Sequence, residues 1–228
     1  MIRTLLLLLL VTLVPGLAGA ETVGRVDFPL PSAEWQLVAD YEHPLTFNGG
    51  EHSIPLFTKL YQLPGAGRQP KALLLVTATS GSHAGKVRWV SEKCPPARPR
   101  FFAEDFHTNK VTSHIECLVV NPVFSPPAYF KNNAKVLQAL ADKGVELPKS
   151  AVSLRSTVTS QAGTYLHVNL MAGKDFVGLP GTTLYTDDAH EVAPALVAWG
   201  EELHWAVRSA MRSLRGALQL PAIEFEKR

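Results

Sequence analysis

Charge of one sign, cysteine and long apolar runs are all scarce in this 228-residue chain, and each scarcity removes a class of function. With 22 basic residues against 20 acidic ones, the net charge is +2. A nucleic-acid binder normally carries a basic surplus or stripe, so no nucleic acid is expected as a partner. Lys86, Arg88, Lys93, Arg98 and Arg100 do cluster locally, but a solvated surface loop accounts for them. After the first twenty residues no apolar run reaches membrane length, and no stable membrane span is expected there. A phosphate loop, a dinucleotide fingerprint, a haem-attachment pair and a CxxC redox motif are also missing. No cofactor is therefore expected. Internal repeats, heptads and low-complexity tails are absent as well.

What is present begins at the first residues. Arg3, the apolar run Leu5 to Val14 and then Ala18-Gly19-Ala20 follow the charged, apolar and small-residue order of a secretory signal peptide. Residues 1–20 are expected to be removed after Ala20, placing the protein in an exported compartment, the bacterial periplasm. No cysteine follows Ala20, which argues against a lipid anchor. The remaining residues, 21–228, are enough for a single domain with a sizeable core. In an oxidising compartment the only two cysteines, Cys94 and Cys117, read as a disulfide. Closing that loop is worth roughly 3 kcal/mol.

The strongest pattern lies near the C-terminus. Leu196, Trp199, Leu203, Ala206, Val207, Ala210, Met211 and Leu214 recur at the three-and-four spacing of a helix face. Glu201, Glu202, His204, Arg208, Arg212 and Arg215 fall on the other face, acids early and arginines late as the helix dipole prefers. Pro194 suits the first helical position and Gly216 a left-handed cap, giving a helix over about 194–215. A second helix is expected over about 126–143, opened by Ser125-Pro126-Pro127 and closed by Gly144 with Val145 beyond it.

Strands fill much of the rest. Trp35 to Asp40 reads as a short strand before the turn cluster Asn48-Gly49-Gly50. Ile54 to Leu63 alternates, and the nearly unbroken apolar run of Lys71 to Ala78 reads as its hairpin partner and a central strand. Val87 to Glu92 and Thr112 to Asn121 are further strands, and Phe101 to Phe106 is a weaker one. Ser150 to Thr159 and Thr164 to Met171 alternate strongly around the turn Ser160 to Gly163. Glu21 to Ala33 reads as an irregular lead-in. Strands in hairpins predict one α+β domain, with an antiparallel sheet carrying two main helices.

Three constellations could hold chemistry. Thr79-Ser80-Gly81-Ser82-His83-Ala84-Gly85 superficially resembles a serine nucleophile turn, but it lacks the G-x-S-x-G spacing and a following helix, and reads as a hairpin loop. Glu104, Asp105, His107, His114, Glu116 and Cys117 offer carboxylates and imidazoles for acid–base work. His107 and His114 could also join the two cysteines as a zinc site. Oxidation would consume both thiols, and strand alternation puts His114 and Cys117 on opposite faces. Asp187, Asp188 and His190 could hold a divalent ion, although acids ahead of a helix are favoured for capping alone. The structural reading is preferred each time, so no catalytic, cofactor or metal residue is assigned.

These readings point to an exported, non-enzymatic domain that binds a small molecule, peptide or envelope protein through loops at one end of its sheet. The alternative is an exported hydrolase using Ser82 with His83, or the Asp105, His107 and His114 group. Here the convergence of side chains in one pocket is the discriminating observation. A third reading is an assembly or stress-response component, marked by a large exposed apolar patch.

Overall fold

The computed structural model describes residues 20–47, 52–83, 94–97, 102–106, 114–160, 162–177, 192–213 and 216–223. Residues 1–19, the Asn48–Gly50 turn, the strand expected at 87–92, His107, and the Asp187, Asp188 and His190 group lie outside them.

Among the described residues the architecture is a mostly antiparallel sheet with helices, an α+β fold. Strands β1 (Ala20–Val23) and β2 (Val26–Pro29) form a two-stranded hairpin. The large sheet contains β3 (Gln36–Phe47), β4 (His52–Leu63), β5 (Ala72–Thr79), β6 (Phe102–Asp105), β7 (Glu116–Val123), β8 (Ala151–Thr159) and β9 (Tyr165–Gly173). Its spatial order is β3-β4-β5-β9-β8-β7-β6, antiparallel throughout. Two meanders thus meet at their last strands, with residues 72–78 pairing residues 166–172. The apolar run at 71–78 is central, as its composition implies: all eight residues of β5 are buried.

Prolines mark where strands lose a neighbour. Pro44 lies on the edge strand β3, and its partner Pro55 lies on the part of β4 that extends past β5. At each place a missing N–H leaves no ladder bond unmade.

The long helix, labelled α3 here, runs Pro194–Arg212 with proline in its first turn, as expected. It lies on β7, β8 and β9. Leu196, Trp199, Leu203, Val207 and Ala210 join Leu118, Val120, Leu154, Val168 and Leu170 in the largest apolar cluster. We call this side of the sheet the α3 face. Gly200 marks the closest approach: a Cβ there would stand 3.0 Å from Val120 Cγ2. His204 also belongs to the buried side, because it follows Gly200 by one helical turn, and is not on the polar face as its chemistry suggested.

Two other expectations need correction. The lead-in expected over 21–33 is irregular only after Pro29: Val23, Val26 and Phe28 are buried on the α3 face, and Gly24 (φ 57°) makes the tight turn between β1 and β2. The helix expected over 126–143 is broken into α1 (Pro126–Tyr129) and α2 (Ala134–Asp142). Asn133 interrupts it, since its side chain accepts from the Val136 N–H at 3.2 Å and starts a new helix. Gly144 (φ 65°) closes α2 as expected, with the Val145 N–H bonded to Leu140 O at 2.8 Å. Gly216 (φ 64°) serves a close approach to Arg25 O and does not cap α3, which ends at Arg212.

The opposite side of the sheet, the disulfide face, holds two smaller apolar clusters. One gathers Leu60, Leu73, Leu75 and Met171 with Phe130, Val136 and Leu140. The other gathers Ile54, Leu56, Ile115, Cys117 and Val119 with Cys94 packed against them. Cys94 and Cys117 form the expected disulfide, Cα to Cα 5.4 Å. No helix among the described residues is long and apolar enough to cross a membrane.

Candidate functional site

The serine loop after β5 is a clasp. Ser82 Oγ donates to Ala162 O at 2.6 Å, and the His83 N–H donates to the same carbonyl at 2.8 Å. Gly163 (φ 70°) lies so close that a Cβ there would stand 2.6 Å from the His83 carbonyl carbon. The Ser82 proton is thus held by a carbonyl, which cannot serve as a base. These contacts fasten the β8–β9 turn to the end of β5.

The carboxylate–histidine group divides between the two faces. Asp105 stands in register with Cys117, on the disulfide face. His114 and Glu116 turn towards α3, where His114 Nε2 lies 2.8 Å from Glu116 Oε1. The Glu116 carboxylate is buried, with Arg208 Nε 3.0 Å from Oε2 and Arg212 3.4 Å from Oε1. The Arg208 contact is an ion pair in which the N–H is not aligned for a hydrogen bond. Arg208 also lies over the Trp205 ring at 4.9 Å. Glu104, on the neighbouring strand, has its carboxyl pushed up by burial and by the charge of Glu201. No group of three or more His, Cys, Asp or Glu among the described residues could hold a metal.

Beside this cluster, His204 Nδ1 is 2.9 Å from Ser156 Oγ, and its ring stacks on Phe106 at 4.2 Å. Burial, with help from Arg208 and against the pull of Glu116, lowers its pKa to about 4. The imidazole is neutral at pH 7. Ser156 is fully buried, so this pair is a core hydrogen bond with no room for a substrate.

A polar row crosses the disulfide face between its two apolar clusters. Successive strand registers align Tyr41, Thr58, Thr77, His167 and Thr157. Thr58 and Thr77 are 2.9 Å apart through their hydroxyls, and Thr157 Oγ1 is 2.7 Å from His167 Nδ1. Ser153 donates to Asn169 at 2.9 Å, and Asn169 Nδ2 to the Tyr129 hydroxyl of α1 at 3.1 Å. Between these groups stands Arg155, opposite Asn169 and Val119. Burial and the Arg155 charge lower the His167 pKa to about 4. Sequence reasoning passed over this row because alternating polar residues on β8 and β9 look like an ordinary solvent face. The signal was the residue type: an arginine, a histidine and an asparagine on central strands.

At the end of the sheet where β4 turns into β5, an open cleft of about 990 Å³ forms. Lys71, Lys149 and Lys174 line it from three separate segments, together with Asp175, Phe176 and Ile223. The backbone beneath is fixed: the Lys71 N–H bonds to Leu63 O and the Gly173 N–H to Lys71 O, each at 2.8 Å.

No protein-family model, curated protein or solved structure matches the chain.

Proposed function

We propose that the chain is an exported, non-enzymatic binding domain that takes a small molecule or peptide in the cleft at the β4–β5 end of its sheet. The cleft itself carries the reading. Its volume of about 990 Å³ suits a small ligand, and its wall combines apolar surface from Phe176 and Ile223 with three lysines against one aspartate. A ligand with an apolar body and acidic groups fits that lining. Export rests on the signal-like residues 1–20 and is supported by the disulfide. Cleavage after Ala20 would leave Glu21 first in the chain, with its carboxylate accepting from Lys59 and Tyr61 at 2.9 Å each.

The hydrolase alternative loses support from the geometry. Ser82 is tied to a carbonyl, and Asp105 and His114 face opposite sides of the sheet. Native mass spectrometry of protein from the exported fraction tests both parts. The expected result is a mass lacking residues 1–20 and a co-purifying ligand that the double variant Lys71→Glu/Lys149→Glu no longer holds. Hydrolytic turnover that disappears in Ser82→Ala or His114→Ala would overturn the binding reading.

A further inference from the structure

Arg155 is half-buried on β8 with neighbouring strands on both sides, so its guanidinium stays over the disulfide face. None of its nitrogens is both fully buried and unpartnered, so the guanidinium reaches solvent at the surface of this face and its donors are open to a partner. Among the described residues it has no hydrogen-bond or ion-pair partner. Its polar neighbours are engaged with one another: Thr157 with His167, and Ser153 with Asn169 and through it Tyr129. One diagonal step across the sheet, Asn121 Oδ1 is a buried acceptor without a donor. Arg155 thus stands without a counter-ion on this polar floor, while Glu116 on the other face holds two arginines.

We infer that this floor is an oxyanion site, in which Arg155 pairs with a carboxylate or phosphate of a ligand. The planar guanidinium supplies a two-pronged contact that a lysine could not. The site does not rest on the cleft reading, from which it is separated by lying on the face of the sheet and not at its end.

The test follows the imidazole NMR signals of His167 in the purified, disulfide-intact protein, assigned by their loss in His167→Gln. Inorganic phosphate, acetate and a short peptide with a free C-terminal carboxylate are titrated separately. Saturable shifts are expected, and Arg155→Met should weaken binding about tenfold or more, with Arg155→Lys between the two. Tighter binding of phosphate makes the ligand a free small anion; tighter binding of the peptide makes the carboxylate the handle of a chain. Lys71→Gln/Lys149→Gln should leave these titrations unchanged. Absence of saturable shifts with every probe would overturn the site, as would shifts that survive Arg155→Met at wild-type affinity or vanish in the lysine double variant. Should Arg155→Met fail to fold, the wild-type titration and Arg155→Lys still decide.

Discussion

The two faces of the central sheet handle charge in opposite ways. On the α3 face a single buried carboxylate, Glu116, is surrounded by His114, Arg208 and Arg212, and the other polar groups beneath the helix are paired, as Ser156 is with His204, within a large apolar cluster. On the disulfide face a central arginine has no counter-ion, and polar side chains separate two modest apolar clusters. Paired charge beneath a helix is what stability requires, since an uncompensated buried ion costs several kcal/mol. A half-buried arginine without a counter-ion adds little to stability and leaves its donors open to an incoming ligand. Cohesion is thus concentrated on one side and binding capacity on the other.

Substitutions can break this contrast, beginning where the effect is largest. Trp199→Ala removes the largest fully buried side chain of the α3 face, together with its indole N–H bond to Ala222 O, and should cost about 3–5 kcal/mol in urea unfolding. Glu116→Gln keeps the shape of the carboxylate but strips two arginines of their counter-charge. A loss of about 3 kcal/mol is expected, and a near-neutral result would show that the arginines find solvent instead.

Acid should sharpen the contrast further. His204 and His167 titrate near 4 in the folded chain, below an ordinary histidine value of 6.5. The unfolded chain therefore takes up protons first as pH falls. Their contribution to stability is complete above about pH 6.5 and is lost as pH drops towards 4. For the fully buried His204 this amounts to about 2–3 kcal/mol, and His204→Asn should flatten that part of the urea-midpoint profile between pH 7 and 4.5. The smallest effect belongs to the other face: Arg155→Met should change stability by less than about 1 kcal/mol, in either direction, by the same urea assay. A loss as large as that of Glu116→Gln would mean that Arg155 is part of the framework after all.

Much of the framework was legible because periodicity reports burial. The run at 71–78, the hairpin at 150–171 and the stripe from Leu196 to Ala210 all end up where their spacing places them. The failures have local causes. Val23, Val26 and Phe28 alternate too briefly around Gly24 to stand out from a loop, and only their packing on the α3 face makes them a hairpin. Asn133 is a cap in the middle of an apolar pattern that would otherwise support one long helix. His204 turns inward because Gly200 lets the helix sit close to β7 and Ser156 offers it a partner. The candidate sites were less visible still. Alternation separates the two sides of a strand, but what covers the second side depends on distant segments. An arginine at 155 therefore looks the same in sequence whether it meets water, a carboxylate or a ligand.

One feature links the two ends of the described chain. Arg25 donates to the carbonyls of Met211 and Ser213 across 186 and 188 positions, Gly216 packs against the Arg25 carbonyl, and the Leu218 N–H bonds to Asp27 O. The hairpin at residues 20–29 is thus latched by residues 211–218, which follow the whole large sheet in the chain. A chain emerging from its N-terminus cannot close this latch until residue 218 is free, so the hairpin can dock in full only after every strand of the sheet has been supplied.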